Sequence, residues 1–160
     1  MILPSVQQEV LSVPDTRDPD YRTAVQRIFL EAPFIRSLGI ELVDLGPGWC
    51  ETRLPITDHH RQQHGYVHAG VQATLADHSS GAAASTLISA DEQILSVEFK
   101  LNLLRPARGE QLHCRATVLR AGRTISVVEA EVHAGDSPRE TLVSKATVTL
   151  ATVPNAQVQR

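Results

Sequence analysis

Apolar residues along the chain change their spacing several times, and each change predicts a different element. Val25, Ile28, Phe29 and Ala32 recur at intervals of three and four, which gives a helix one apolar face. Asp18-Pro19-Asp20 reads as the start of that helix. Asp18 can cap, Pro19 suits the first helical position, and Asp20 favours the positive helix end. Pro33 ends or kinks it, and the residues from Phe34 to Gly39 read as a short further turn stopped by glycine. Residues 39–45 and 49–56 are strand-like, and Gly46-Pro47-Gly48 between them predicts a hairpin turn.

Residues 57–67 form a polar loop rich in His and Gln. From Gly70 to Ile88 the chain is almost all Ala, Ser, Thr, Gly and Leu, with Asp77 and His78 in the middle and no proline. That is too long for one strand. It predicts a helix of small side chains, the kind that lets other backbone approach from several sides. Next, Leu95, Val97, Phe99, Leu101 and Leu103 alternate with Ser96, Glu98, Lys100 and Asn102, a strand with one buried face. Arg105 to Gly109 breaks the pattern. Leu112, Cys114, Ala116 and Val118 resume it, and two more strands follow over 124–134 and 141–153. Their connections are the Ala121-Gly122 turn and the residues from Gly135 to Pro138. The order is helix, two strands, long helix, four strands. Short connections imply an antiparallel sheet, so the class is α+β with the long helix on one face. Residues 1–17 have no clear period and read as an N-terminal arm. Residues 18–153 read as the domain, and 154–160 as a C-terminal tail.

Composition narrows the function. One hundred and sixty residues make one domain with a single sizeable core. A net charge of -3 argues against a general nucleic-acid binder, which is normally basic. No apolar run approaches the roughly 18 residues of a membrane span, and the N-terminus has no signal-peptide pattern, so a cytoplasmic protein is expected. Cys50 and Cys114 are isolated, which leaves no disulfide framework and no zinc ribbon.

Candidate chemistry concentrates between Gln62 and Asp77. Four of the seven histidines fall between His59 and His68. His59, His60, His64 and His68 could gather round a metal, but Gly65 and the loop composition argue against the helical spacing a metal site would use. A helix beginning at 68–70 would present unpaired N–H groups and a positive dipole end. Ala69 or Gly70 N–H could then hold a developing oxyanion, worth about 3 kcal/mol per donor. Glycine at 70 permits close approach of backbone and ligand. Asp77, about two turns on, can be a nucleophile or a general base.

This stretch resembles the hotdog-fold acyl-CoA thioesterases of the phenylacetate-degradation (PaaI-like) type. Their pattern is an Asn, a Gly, His-Gly-Gly and then Leu-Ala-Asp. Here Gly65, His68, Gly70 and Leu75-Ala76-Asp77 occupy those positions. Pro33-Phe34, Leu38-Gly39-Ile40, Ser96-Val97-Glu98 and the segment from Leu104 to Gly109 extend the match to roughly residues 20–152. Two positions depart from the pattern: Gln62 stands for the Asn, and Ala69 for the middle Gly. The resemblance implies a long helix wrapped by a curved antiparallel sheet of about six strands. It also implies hydrolysis of an acyl-CoA at a homodimer interface, with dimers able to pair into a tetramer. Asp77 would act there from one chain on the His68 loop of the other. His68 and Gln62 would orient loop and thioester, and Ser96 would support the attacking water. No metal or redox cofactor is implied. An acidic chain that holds the CoA phosphates needs local cations, and Arg105, Arg108, Arg120 and Arg123 are the candidates. Two other readings stay open: a non-catalytic acyl-CoA sensor, and a hydratase or dehydratase on the same fold.

Overall fold

The computed structural model describes residues 15–136 and 139–157. Most of the arm (1–14), Ser137 and Pro138 of the last turn, and 158–160 of the tail lie outside the described residues. Helices α1 (Tyr21–Glu31) and α2 (Pro33–Leu38) precede a hairpin of β1 (Glu41–Gly46) and β2 (Trp49–Pro55). A loop with one 3-10 turn at Asp58–His60 leads into α3 (Ala69–Ser85). Strands β3 (Glu92–Leu103), β4 (Gln111–Ala121), β5 (Ile125–Asp136) and β6 (Arg139–Pro154) complete one antiparallel sheet of order β1-β2-β4-β5-β6-β3. The α+β class, the long helix and the six strands agree with the sequence pattern. No described helix is long and apolar enough to cross a membrane.

The small side chains of α3 explain how one sheet can wrap it. The helix lies against β2, β3, β4, β5 and β6. Ala76, Ser79, Ser80, Ala82, Ala83 and Ala84 are all buried. The two serines turn their hydroxyls back onto the carbonyls of Leu75 and Ala76, so neither polar atom opposes burial. Ser79 Oγ also lies 2.6 Å from Thr52 Oγ1 on β2, a polar link inside an apolar layer. The facing strands alternate as expected: Cys50, Thr52 and Leu54 on β2 point inward, as do Leu112, Cys114, Ala116 and Val118 on β4.

Three expectations change. The first helix begins at Tyr21, not Asp18. Asp18 Oδ1 accepts the Asp20 N–H at 2.8 Å, which holds residues 18–20 in a local turn instead. The long helix starts at Ala69, inside the expected 68–70, but stops at Ser85, short of Ile88. There Thr86 Oγ1 donates to Ala83 O and accepts the Gly48 N–H, so the helix end is tied to the β1–β2 turn. The third change concerns β3. The expected single buried face does not form: a bulge between Ser96 and Glu98 puts Leu95 and Phe99 on opposite faces, and Leu95, Val97, Phe99 and Leu103 are 43%, 60%, 47% and 54% exposed. Strand β3 is a sheet edge, and although α3 touches it, these side chains stay largely open.

Leu75 is fully buried between α3 and the sheet. Leu75→Ala should lower the free energy of unfolding by about 3 kcal/mol, which urea titration followed by circular dichroism will read.

Candidate active site

The loop before α3 is held by its own backbone. Gln62 N–H donates to Tyr66 O, and Gly65 N–H donates back to Gln62 O. Gly65 has φ +80°, a conformation open to glycine at little cost. Val67 N–H reaches Ala107 O, and His68 N–H reaches His60 O, so the loop is laced to the β3–β4 connection and to the 3-10 turn. His60 is buried, and its Nδ1 accepts the Thr57 N–H. Among the described residues no group of three or more His, Cys, Asp or Glu side chains is placed to hold a metal.

His68 is the N-cap of α3. Its Nδ1 accepts the Gly70 N–H at 2.9 Å. An accepting Nδ1 carries no proton, so in the neutral ring the proton sits on Nε2. Gly70 leaves room for this contact: a Cβ there would stand 3.0 Å from Nδ1, so the ring would have to shift by a few tenths of an ångström. Val71 and Gln72 N–H both point to His68 O. Of the first four amides of α3, only Ala69 N–H has no acceptor among the described residues. The two oxyanion-donor candidates therefore differ: Gly70 N–H is engaged, and Ala69 N–H is free at the positive end of the helix.

Asp77 is half-buried on the third turn of α3. Ser96 Oγ donates to its Oδ1 at 2.7 Å. The register of β3 against β6 shifts between Ser96 and Glu98, a bulge of the sort that re-aims a side chain beside a site. Phe34, Ile35, Ala73, Thr74, His78 and Phe99 line a pocket of about 360 Å³ around the carboxylate. His78 takes the opposite environment from its neighbour. It packs edge-on against Phe29, with ring centroids 4.6 Å apart, and burial pushes its pKa down to about 4 against the opposing pull of Asp77. Cys50 and Cys114 are fully buried, and burial raises both thiols, Cys114 to about 12. Neither thiol is a nucleophile in this state.

A second cleft of about 600 Å³ lies between Gln62, His68, Ala69 and Gln72 and the stretch from Leu103 to Ala107. Gln62 Oε1 accepts the His64 N–H, which leaves its amide nitrogen as the free end. Arg105 lines the cleft, with Nη1 on Leu142 O. Arg108 lies 4.3 Å over the Tyr66 ring and donates to its hydroxyl. The four arginines do not form one patch. Arg120 and Arg123 lie toward the other end of β4, about 30 Å from Gln111 at the strand rise, because β4 runs away from the loop that carries Arg105 and Arg108. Sequence reasoning also missed Gln72 and the Phe34–Phe99 walls. A long polar side chain in a helix of small residues was the available signal for Gln72.

Separation along α3 limits what one chain can do. Ala69 and Asp77 are eight residues apart, or about 12 Å at the helical rise. A carbonyl held at Ala69 is beyond the reach of the same chain's Asp77.

With this geometry in view, the likenesses are informative. The thioesterase superfamily profile matches residues 64–141. The structure superposes on a thioesterase family protein of Silicibacter pomeroyi with TM-score 0.82, at 36% identity, covering 84% of this chain and 99% of that one. A 1,4-dihydroxy-2-naphthoyl-CoA hydrolase of Listeria monocytogenes is 28% identical over 96 residues, 60% of this chain and 78% of that one. The PaaI protein of E. coli, from the phenylacetic acid degradation operon, shares the fold at TM-score 0.75 and 16% identity, over 86% of this chain and 96% of that one.

The depressed His78 pKa makes a pH prediction. The unfolded chain binds a proton at this residue near pH 6.5, whereas the folded chain holds it neutral down to about pH 4. Its contribution to stability is full above pH 6.5 and is lost as pH falls through 4. In His78→Leu the melting temperature should fall less between pH 6.5 and 4 than in the wild type, as read by scanning calorimetry.

Proposed function

The chain belongs to the thioesterase superfamily and has the hotdog fold, and we propose that it hydrolyses an acyl-CoA thioester to the free acid and CoA. One observation carries this reading: among the described residues the capped start of α3 leaves the Ala69 amide without an acceptor, on the same helix as a carboxylate steadied by Ser96. The Listeria relative is named for a CoA thioester, which favours that substrate over an oxygen ester.

The thioester carbonyl oxygen lies against Ala69 N–H, where the helix dipole favours the charge that develops there. Gln62 offers its amide N–H₂ to the same oxygen, and His68 holds the loop through Gly70. The carboxylate comes from a second copy of the chain, because the same chain's Asp77 is about 12 Å away. Ser96 engages Oδ1, which leaves Oδ2 for chemistry. Either Oδ2 takes a proton from water as the water oxygen adds to the carbonyl carbon, or Oδ2 adds itself and water opens the resulting anhydride. In both routes the C–S bond breaks, and the CoA sulfur leaves as thiolate and takes up a proton. Arg105 and Arg108 at the cleft meet the CoA phosphates. No step calls for a metal or a redox cofactor.

The homodimer follows from the same reasoning. Leu95, Val97, Phe99 and Leu103 leave an apolar edge strand open, which a second copy covers while it brings Asp77 to the loop.

Release of free thiol from short, medium, long and aryl acyl-CoAs tests the function. Asp77→Ala should lower kcat about 10³-fold with its fold intact, and full activity in that variant would remove Asp77 from the mechanism. A single turnover in ¹⁸O-water tests the anhydride route, since label enters the Asp77 side chain only when water opens an anhydride at the Asp77 carbonyl. Val97→Arg should sediment at the mass of one chain and lose turnover. An active monomer would overturn the two-chain site.

A further inference from the structure

Gln72 is the least expected residue in the cleft between the His68 loop and Leu103–Ala107. It is 3% exposed, and its Oε1 has no hydrogen-bond partner among the described residues. Its Nε2 makes one long contact, 3.4 Å to Val67 O. A buried amide carbonyl left unpaired is costly, and such groups normally have a partner, in protein, water or ligand. Gln72 lies one turn from Ala69, so both look onto the same face of α3 and line the same cleft. The opposite wall is largely apolar: Leu103, Leu104, Pro106 and Ala107. Arg105 adds a cation.

A ligand for this cleft combines a narrow apolar chain, a hydrogen-bond donor close to the carbonyl, and an anionic end. The thiol side of a CoA thioester has that composition. Two methylenes beyond the sulfur stands an amide N–H, and the phosphates follow further out. We propose that Gln72 Oε1 accepts this first amide N–H and thereby fixes the direction in which the thioester lies across Ala69. The inference rests on the thioesterase reading and adds a specificity-determining residue to it. Gln72 selects for the arm that carries the leaving sulfur, independently of the acyl group.

The test varies the donor on both partners. One substrate is the N-acetylcysteamine thioester of whichever acyl group is turned over best. The second replaces its amide N–H by an ester oxygen, which keeps the shape and removes the donor. In the wild type the replacement should lower kcat/KM about tenfold, the worth of one neutral hydrogen bond. In Gln72→Leu and Gln72→Met the two substrates should be hydrolysed at equal rates, both near the lower value. Equal rates in the wild type would overturn the proposal. So would an undiminished preference for the amide in the variants. A uniform loss on both substrates, with the wild-type preference kept, would assign Gln72 to loop structure instead. The wild-type comparison stands even where a variant folds poorly. Absence of thiol release from every CoA and cysteamine thioester in the wild type would instead remove the parent reading.

Discussion

Close approach between α3 and the sheet is the constraint on which the rest of the structure depends. A sheet curls round a helix only where the helix side chains are short. Ala76, Ala82, Ala83 and Ala84 meet that demand with no polar atom, and Ser79 and Ser80 meet it by bonding their hydroxyls to their own helix. Five strands can then contact one helix. The cost is a core with few large side chains, carried instead by Leu45, Leu54, Leu75, Leu112 and Leu150. A large residue at 79 or 83 would push strands apart and open the polar link from Thr52 to Ser79.

On the proposed reading the same helix delivers the chemistry at its N-terminus. Helix starts leave amides without partners, and here each is disposed of differently. His68 takes Gly70 N–H through its ring and the next two through its carbonyl. The residual donor, Ala69 N–H, is thus made scarce and oriented by one residue. That division explains why Ala69 can replace glycine whereas position 70 cannot carry a Cβ without meeting the imidazole. The backbone amide at 69 is indifferent to its own side chain; the contact at 70 is not.

On the proposed reading the single chain is incomplete. An edge strand with exposed Leu95, Val97, Phe99 and Leu103 is a poor surface to leave in water. A carboxylate about 12 Å along the helix from its amide is a poor partner for it. On the proposed reading one association repairs both faults.

Sequence alone determined the local elements and their order. Spacing by three and four, alternation, and turn residues such as Gly39 and Gly46-Pro47-Gly48 act over a few residues, so they survive without knowledge of the fold. The run from Gln62 to Asp77 was legible for the same reason, as a loop entering a helix. Only the tertiary structure decided what depends on distant segments. The expected buried face of β3 is broken by a bulge and left largely open at the edge of the sheet. Arg120 and Arg123 part from Arg105 and Arg108 because one strand separates them. Ala69 and Gly70 look equivalent as letters, and a side chain two residues before Gly70 makes them different. Gln72 looks like one polar residue among many, and becomes a candidate contact only when the cleft closes round it. Periodicity records which face a residue occupies, whereas what covers that face is set by the path of the whole chain.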